Sequence, residues 1–112
     1  MAATTSTTEL VRFLLARVDD DDEQLRRLRR HRARSAGPTG QTDALDDLRS
    51  LDRLRAECDA KRGVIGCAQQ LLVLRDQPAE KPVRDVAVHL LCALAAPYRA
   101  HAGYQSEWDG RR

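Results

Sequence analysis

Aromatic residues are almost missing from this 112-residue chain, which has one Phe, two Tyr and one Trp, and β-branched residues are few. Rings and β-branched side chains suit pleated sheets, whereas alanine and leucine are the strongest helix formers, so the composition predicts an all-α fold. Large apolar residues are also in short supply. Leu, Ile, Val and Phe number 24 of 112, and 16 of the remaining hydrophobic residues are alanine. That fraction sits just above the level of roughly 20% at which charged chains stop folding, so the core is thin. No apolar run approaches the roughly 20 residues of a membrane span, and Met-Ala-Ala-Thr-Thr-Ser at the start has neither the charged nor the apolar region of a secretory signal. The expectation is a cytoplasmic protein without a membrane segment. Cys58, Cys67 and Cys92 are odd in number and lack paired spacing, which excludes a disulfide framework and leaves reduced thiols. An excess of one charge is missing too: 19 basic residues oppose 17 acidic ones, for a net charge of +2. An argument for nucleic acid must therefore be local.

What is present is helical patterning over a single domain, 1–112. Ser6-Thr7-Thr8-Glu9 matches a capping box ahead of an apolar run and predicts a helix over about 7–34. Val11, Leu14, Val18, Asp21, Leu25 and Leu28 alternate spacings of three and four, the seam of a packed or coiled helix that only Asp21 interrupts. The acidic run Asp19 to Glu23 precedes the basic run Arg26 to Arg34, placing Asp22 with Arg26 and Glu23 with Arg27 at i,i+4 in the favourable order. Ser35 to Gly40, with Gly37-Pro38, ends the segment within a loop at 35–42. Thr42 or Asp43 caps a second helix, about 43–75. Its seam runs through Asp47, Leu51, Leu54, Cys58, Lys61, Ile65, Ala68 and Leu72, and matching seams predict an antiparallel hairpin. Gly63 and Gly66 inside it suggest a kink or a close helix contact. A linker at 76–81 leads to Pro82 at the first position of a shorter third helix, 82–96, whose expected stripe is Val83, Val86, Leu90 and Leu94 and which Pro97 stops. The tail, 97–112, holds every aromatic residue except Phe13.

That tail, Leu94-Ala95-Ala96-Pro97-Tyr98 followed by His101, Tyr104 and Glu107-Trp108, resembles the ending of a family of small actinobacterial and actinophage proteins of unknown function. The family ending reads Leu-Ala-Leu-Pro-Tyr, two residues, His-Pro, one residue, Tyr, two residues, Glu-Trp. Val11 to Leu25 is similar to that family's opening, and Asp59-Ala60-Lys61-Arg62 to its Glu-Ala-Lys-Arg; together the three pieces touch about two thirds of the chain. The chain departs from the pattern where relatives carry a His after the Lys-Arg helix and a Trp-Pro-Cys before the last one, here Cys67 or Ala68 and Val88. If that set binds a metal in relatives, the departure implies its loss here. The resemblance implies a cytoplasmic three-helix protein and brings no activity, substrate or catalytic residue.

Each remaining constellation has an ordinary explanation. His89 and Cys92, with Cys58, Cys67 and His101, offer zinc-type ligands, but without Cys-x-x-Cys or His-x-x-x-His spacing no metal or other cofactor is expected. Asp19 to Asp22 lacks the calcium-loop spacing and reads as a solvated acidic face. Nucleophile elbow, phosphate loop and dinucleotide fingerprint are absent, and Cys67 with His89 or His101 as thiol and base is a pairing any such chain permits, so no enzyme is expected. Arg26, Arg27, Arg30 and Arg34, within a cluster that includes Arg29, Arg32 and His31, suit a phosphate backbone, but no stacking platform accompanies them. Tyr98, His101, Tyr104 and Trp108 combine apolar area with polar handles, as binding hot spots do, and equally suit a tail folded back over a thin core. The leading expectation is a non-catalytic protein-interaction module that pairs with itself, as a dimer, or with another protein through this tail. A nucleic-acid accessory protein using the arginines is the alternative.

Overall fold

A computed structural model describes residues 2–35, 41–73 and 80–111, with side chains placed in 7–34, 45–73 and 80–109. Three helices, α1 (Ala2–Ser35), α2 (Gln41–Leu72) and α3 (Lys81–Ala95), are followed by 3₁₀ turns at Ala96–Tyr98 and Ser106–Arg111, and no strand occurs among the described residues. The ion pairs Arg62–Asp19, Arg29–Asp52 and Arg32–Asp47 join the middle of α1 to late α2 and late α1 to earlier α2, so the two form an antiparallel hairpin. The shorter α3 packs on both, which is the expected all-α architecture.

Helix ends differ from expectation in detail. The backbone is already helical at Ser6, and an N-cap must sit in non-helical φ/ψ, so Ser6-Thr7-Thr8-Glu9 lies inside α1 and does not start it. The Ser6 side chain, the loop from Ala36 to Gly40, the last two residues of the expected second helix (74–75) and most of the linker (76–79) lie outside the described residues, as do the side chains of Thr42 and Asp43. Pro82 does fall in the first turn of α3, where its missing N–H costs nothing, and the α-helix ends just before the turn that contains Pro97. Gly63 and Gly66 are not close-contact sites: a Cβ at either would meet nothing within 4 Å, and α2 runs through both.

The core occupies one half of the hairpin. Leu10, Val11, Leu14 and Val18 of α1, Cys58, Ile65 and Ala68 of α2, and Ala87, Val88, Leu91, Cys92 and Ala95 of α3 form one buried cluster with Trp108. A 34-residue helix is about 51 Å long and a 15-residue one about 22 Å, so α3 covers less than half of the hairpin. The molecule is accordingly elongated, 59 × 30 × 18 Å. Past the end of α3 the seam has no third layer, and Leu28 and Leu54, expected inside, are exposed. Asp22 rather than Asp21 takes the seam position after Val18. It is 4% exposed, because from there its carboxylate reaches the arginines of α2.

The expected stripe of α3 is the larger correction. Val83, Val86 and Leu90 are exposed, Leu94 is half-buried, and the buried side is Ala87, Val88, Leu91, Cys92 and Ala95. The smaller residues face the hairpin, which lets α3 lie close against two helices at once.

Candidate functional site

The aromatic tail is built outward from the end of α3. Successive backbone bonds of the i to i+3 type, Arg99 N–H to Ala96 C=O, His101 N–H to Tyr98 C=O, Tyr104 N–H to His101 C=O and Trp108 N–H to Gln105 C=O, coil the chain tightly enough to turn it back onto α1. There it closes around Phe13. The Phe13 ring meets Trp108 at 5.1 Å between centroids, His101 at 5.5 Å, Tyr104 at 6.1 Å and Tyr98 at 6.3 Å, mostly edge to face, and Tyr104 meets Trp108 at 5.2 Å and 87°. These are the separations and tilts at which aromatic quadrupoles attract. Polar tips anchor the rim: the Gln105 amide donates to Glu9 at 2.9 Å, Tyr104 O–H to Asp109 at 2.7 Å, and the Gly103 backbone N–H to His101 Nδ1 at 2.9 Å. Arg17 stands over the Phe13 ring, contacts His101 Nε2 and pairs with Asp20.

Trp108 is 1% exposed, and its indole N–H finds no acceptor among the described residues. An unmatched buried donor costs about 1–3 kcal/mol, so the ring is held there by apolar area against that penalty. Tyr98, His101, Tyr104 and Trp108, the residues singled out for partner contact, are thus brought together, but on the chain's own first helix. Phe13, the ring they share, was missed. Its only signal was being the one aromatic residue outside the tail.

Beside the aromatic cluster lies a charged seam. Asp22 faces Arg62 at 3.2 Å, Arg26 at 3.4 Å and Arg55 at 3.5 Å, and Arg62 also reaches Asp19 at 2.8 Å and Asp59 at 3.2 Å. The hydrogen bond to Asp19, and then that to Asp22, hold the Arg62 guanidinium still more firmly protonated than usual. Tyr98 O–H donates to Asp21 at 2.6 Å and accepts from Lys61 at 3.3 Å, linking tail, α1 and α2. Burial first, then the bond to Asp21, push the Tyr98 phenol well above its ordinary pKa, so it remains a donor. Burial, with Asp21 and Asp22 nearby, likewise raises the Cys58 thiol, the opposite of what a reactive thiolate requires.

The basic run of α1 is largely spoken for. Arg26 pairs with Asp22, Arg27 and Arg30 with Glu23, Arg29 with Asp52 and Arg32 with Asp47. Both i,i+4 pairs expected from the charge order are among these. Cys58 and Cys92 are buried, Cys67 is exposed, and none of the three is in a disulfide. Among the described residues no group of three or more His, Cys, Asp or Glu side chains is placed to hold a metal ion, and no helix is long and apolar enough to cross a membrane.

Exposed apolar side chains recur at helical spacing on two of the helices. On α3, Val83, Val86 and Leu90 recur at spacings of three and four; on α2, Val64 and Leu71 do so with the exposed Cys67 between them.

A family model described as a family of unknown function (DUF6221) matches residues 7–110, and the chain belongs to that family. No curated protein and no solved structure matches it.

Proposed function

We propose that this member of a family of unknown function is a non-catalytic helical interaction module that associates with itself. The observation that carries the reading is the outward face of α3, where Val83, Val86 and Leu90 stand exposed on a helix already apolar on its inward side. A helix apolar on both sides belongs in a setting where both are covered. Val64 and Leu71 of α2 add exposed apolar surface, and a thin core gains from burying it against another molecule. In this reading Tyr98, His101, Tyr104 and Trp108 serve from inside, by closing the end of the bundle on Phe13. The module works in the cytoplasm, where three cysteines that form no disulfide stay reduced.

The nucleic-acid alternative is less well supported, because five arginines of the run already face carboxylates and the acids that neutralise them would repel phosphate. Sedimentation of the full chain from low to high micromolar concentration tests the proposal. A rise in mass above the monomer is expected; a clean monomer throughout refutes it. A low-salt mobility shift with DNA or RNA, abolished by changing Arg26, Arg30 and Arg34 to Ser, would favour the alternative.

A further inference from the structure

At 3.6 residues per turn, Val83, Val86 and Leu90 lie within about 60° of one another around α3. Pro82, Ala93 and the half-buried Leu94 border them, and from Val86 to Ala95 the only strongly polar side chain is His89. Lys81, Arg84 and Asp85 all fall in the first five residues of the helix, and its C-terminal half carries no formal charge when His89 is neutral.

We infer that a second copy of this chain covers this face, the two α3 helices packing antiparallel about a two-fold axis level with Val88; the inference rests on the self-association reading and specifies its geometry. Alternating spacings of three and four make Val83, Val86, Leu90 and Ala93 successive layers of a helix-pair seam. Antiparallel pairing sets Val86 of each copy against Leu90 of the other, and Val83 against Ala93. The same operation favours the electrostatics. The charged, dipole-positive start of each α3 meets the uncharged, dipole-negative end of the other, whereas parallel pairing would stack Lys81 and Arg84 on their own copies. At about 100° per residue His89 flanks the face beside Val86, while Asp85 lies roughly 100° from Val86 and pairs with Lys81 at 3.0 Å within its own helix.

The contact is small. A single pair of helices about 22 Å long falls short of the extent of a standard stable interface, so the association is expected to be weak and to depend on concentration.

The test combines sedimentation with cross-linking of the full chain, in a Cys67→Ser background so that no exposed native thiol competes. Val86→Glu and Leu90→Glu, both at exposed positions, are expected to weaken the dimer by at least about tenfold while leaving far-UV ellipticity and Trp108 emission unchanged. Oxidising a mixture of Val86→Cys and Leu90→Cys chains is expected to join unlike chains in preference to like ones. A dimer that Val86→Glu leaves intact, or a preference for like-chain links, overturns the antiparallel pairing while self-association stands. Should either glutamate variant fail to fold, the cross-linking pattern decides alone. A monomer at every concentration overturns both readings.

Discussion

Replacing Phe13 by alanine is expected to release the tail from α1, and the structure sets the size of the effect. Truncating a buried phenylalanine costs about 3–5 kcal/mol through lost burial and the cavity left behind. Phe13 is half-buried, which argues for the lower end, but it also forfeits ring contacts with Tyr98, His101, Tyr104 and Trp108, each worth about 0.5–1.5 kcal/mol beyond area when well formed. A net loss of about 3 kcal/mol follows. A chain of 112 residues has total stability on the order of 6–17 kcal/mol, so this is a large share. Trp108 is the only tryptophan, and its emission therefore reports tail docking directly. In a urea titration the unsubstituted protein should lose Trp108 emission and helical ellipticity together. In Phe13→Ala the emission should shift red at lower urea than the helices melt, because the tail opens as a separate unit. A loss below about 1 kcal/mol with coincident transitions would refute Phe13 as the hub and assign the docking to the hydrogen bonds of Tyr98 and Gln105.

Three further outcomes follow from the same contacts. Trp108→Phe removes an unmatched buried N–H along with part of the ring, so it should cost well under half of what Trp108→Ala costs, about 3–5 kcal/mol, as read by thermal melts. Asp22→Ala leaves Arg26, Arg55 and Arg62 crowded around a lost carboxylate and should cost about 2–3 kcal/mol, less than a fully buried pair because the arginine heads reach water, whereas Arg27→Ala on the open surface should cost under about 0.5 kcal/mol. Tyr98 has a folded pKa raised above its unfolded value, so its contribution is full below pH of about 10 and is lost as pH climbs from there toward the folded pKa. Tyr98→Phe should accordingly be less stable than the unsubstituted protein near neutrality and lose less on further alkalinisation; parallel alkaline melting curves would contradict this.

The parts of the fold set by local periodicity were legible in the residue pattern, and those set by contacts between distant segments were not. Val11, Leu14 and Val18 announce the buried side of α1 because leucine and valine there alternate with charge. In α3 that contrast disappears. Val83-x-x-Val86 and Ala87-Val88-x-x-Leu91-Cys92 are both apolar, and periodicity cannot rank two apolar faces; close approach to two helices selected the one with smaller side chains. Asp21 and Asp22 differ by 100° on the helix, and the choice between them rests on Arg55, Arg62 and Tyr98, residues 33 to 77 positions away. The tail was visible as an aromatic cluster, yet its docking depends on Phe13 and Glu9, which no local pattern connects to Gln105 or Trp108.

The aromatic tail and the outer face of α3 differ in what each would cost to present to a partner. To present Trp108, the chain must expose a fully buried indole, worth at least about 2 kcal/mol of transfer energy. It must also separate the rings around Phe13 and break the bonds of Tyr98 to Asp21 and Gln105 to Glu9, which brings the total to about 5 kcal/mol. A partner relying on the tail would therefore bind through a state populated at about one part in several thousand, and its apparent affinity would fall by that factor. Val83, Val86 and Leu90 require no such opening. They are already exposed on a helix whose other face holds it to the core, so association there gains burial without loosening the fold. An interaction that uses α3 should consequently leave Trp108 emission unchanged on binding, whereas one that recruits the tail must shift it.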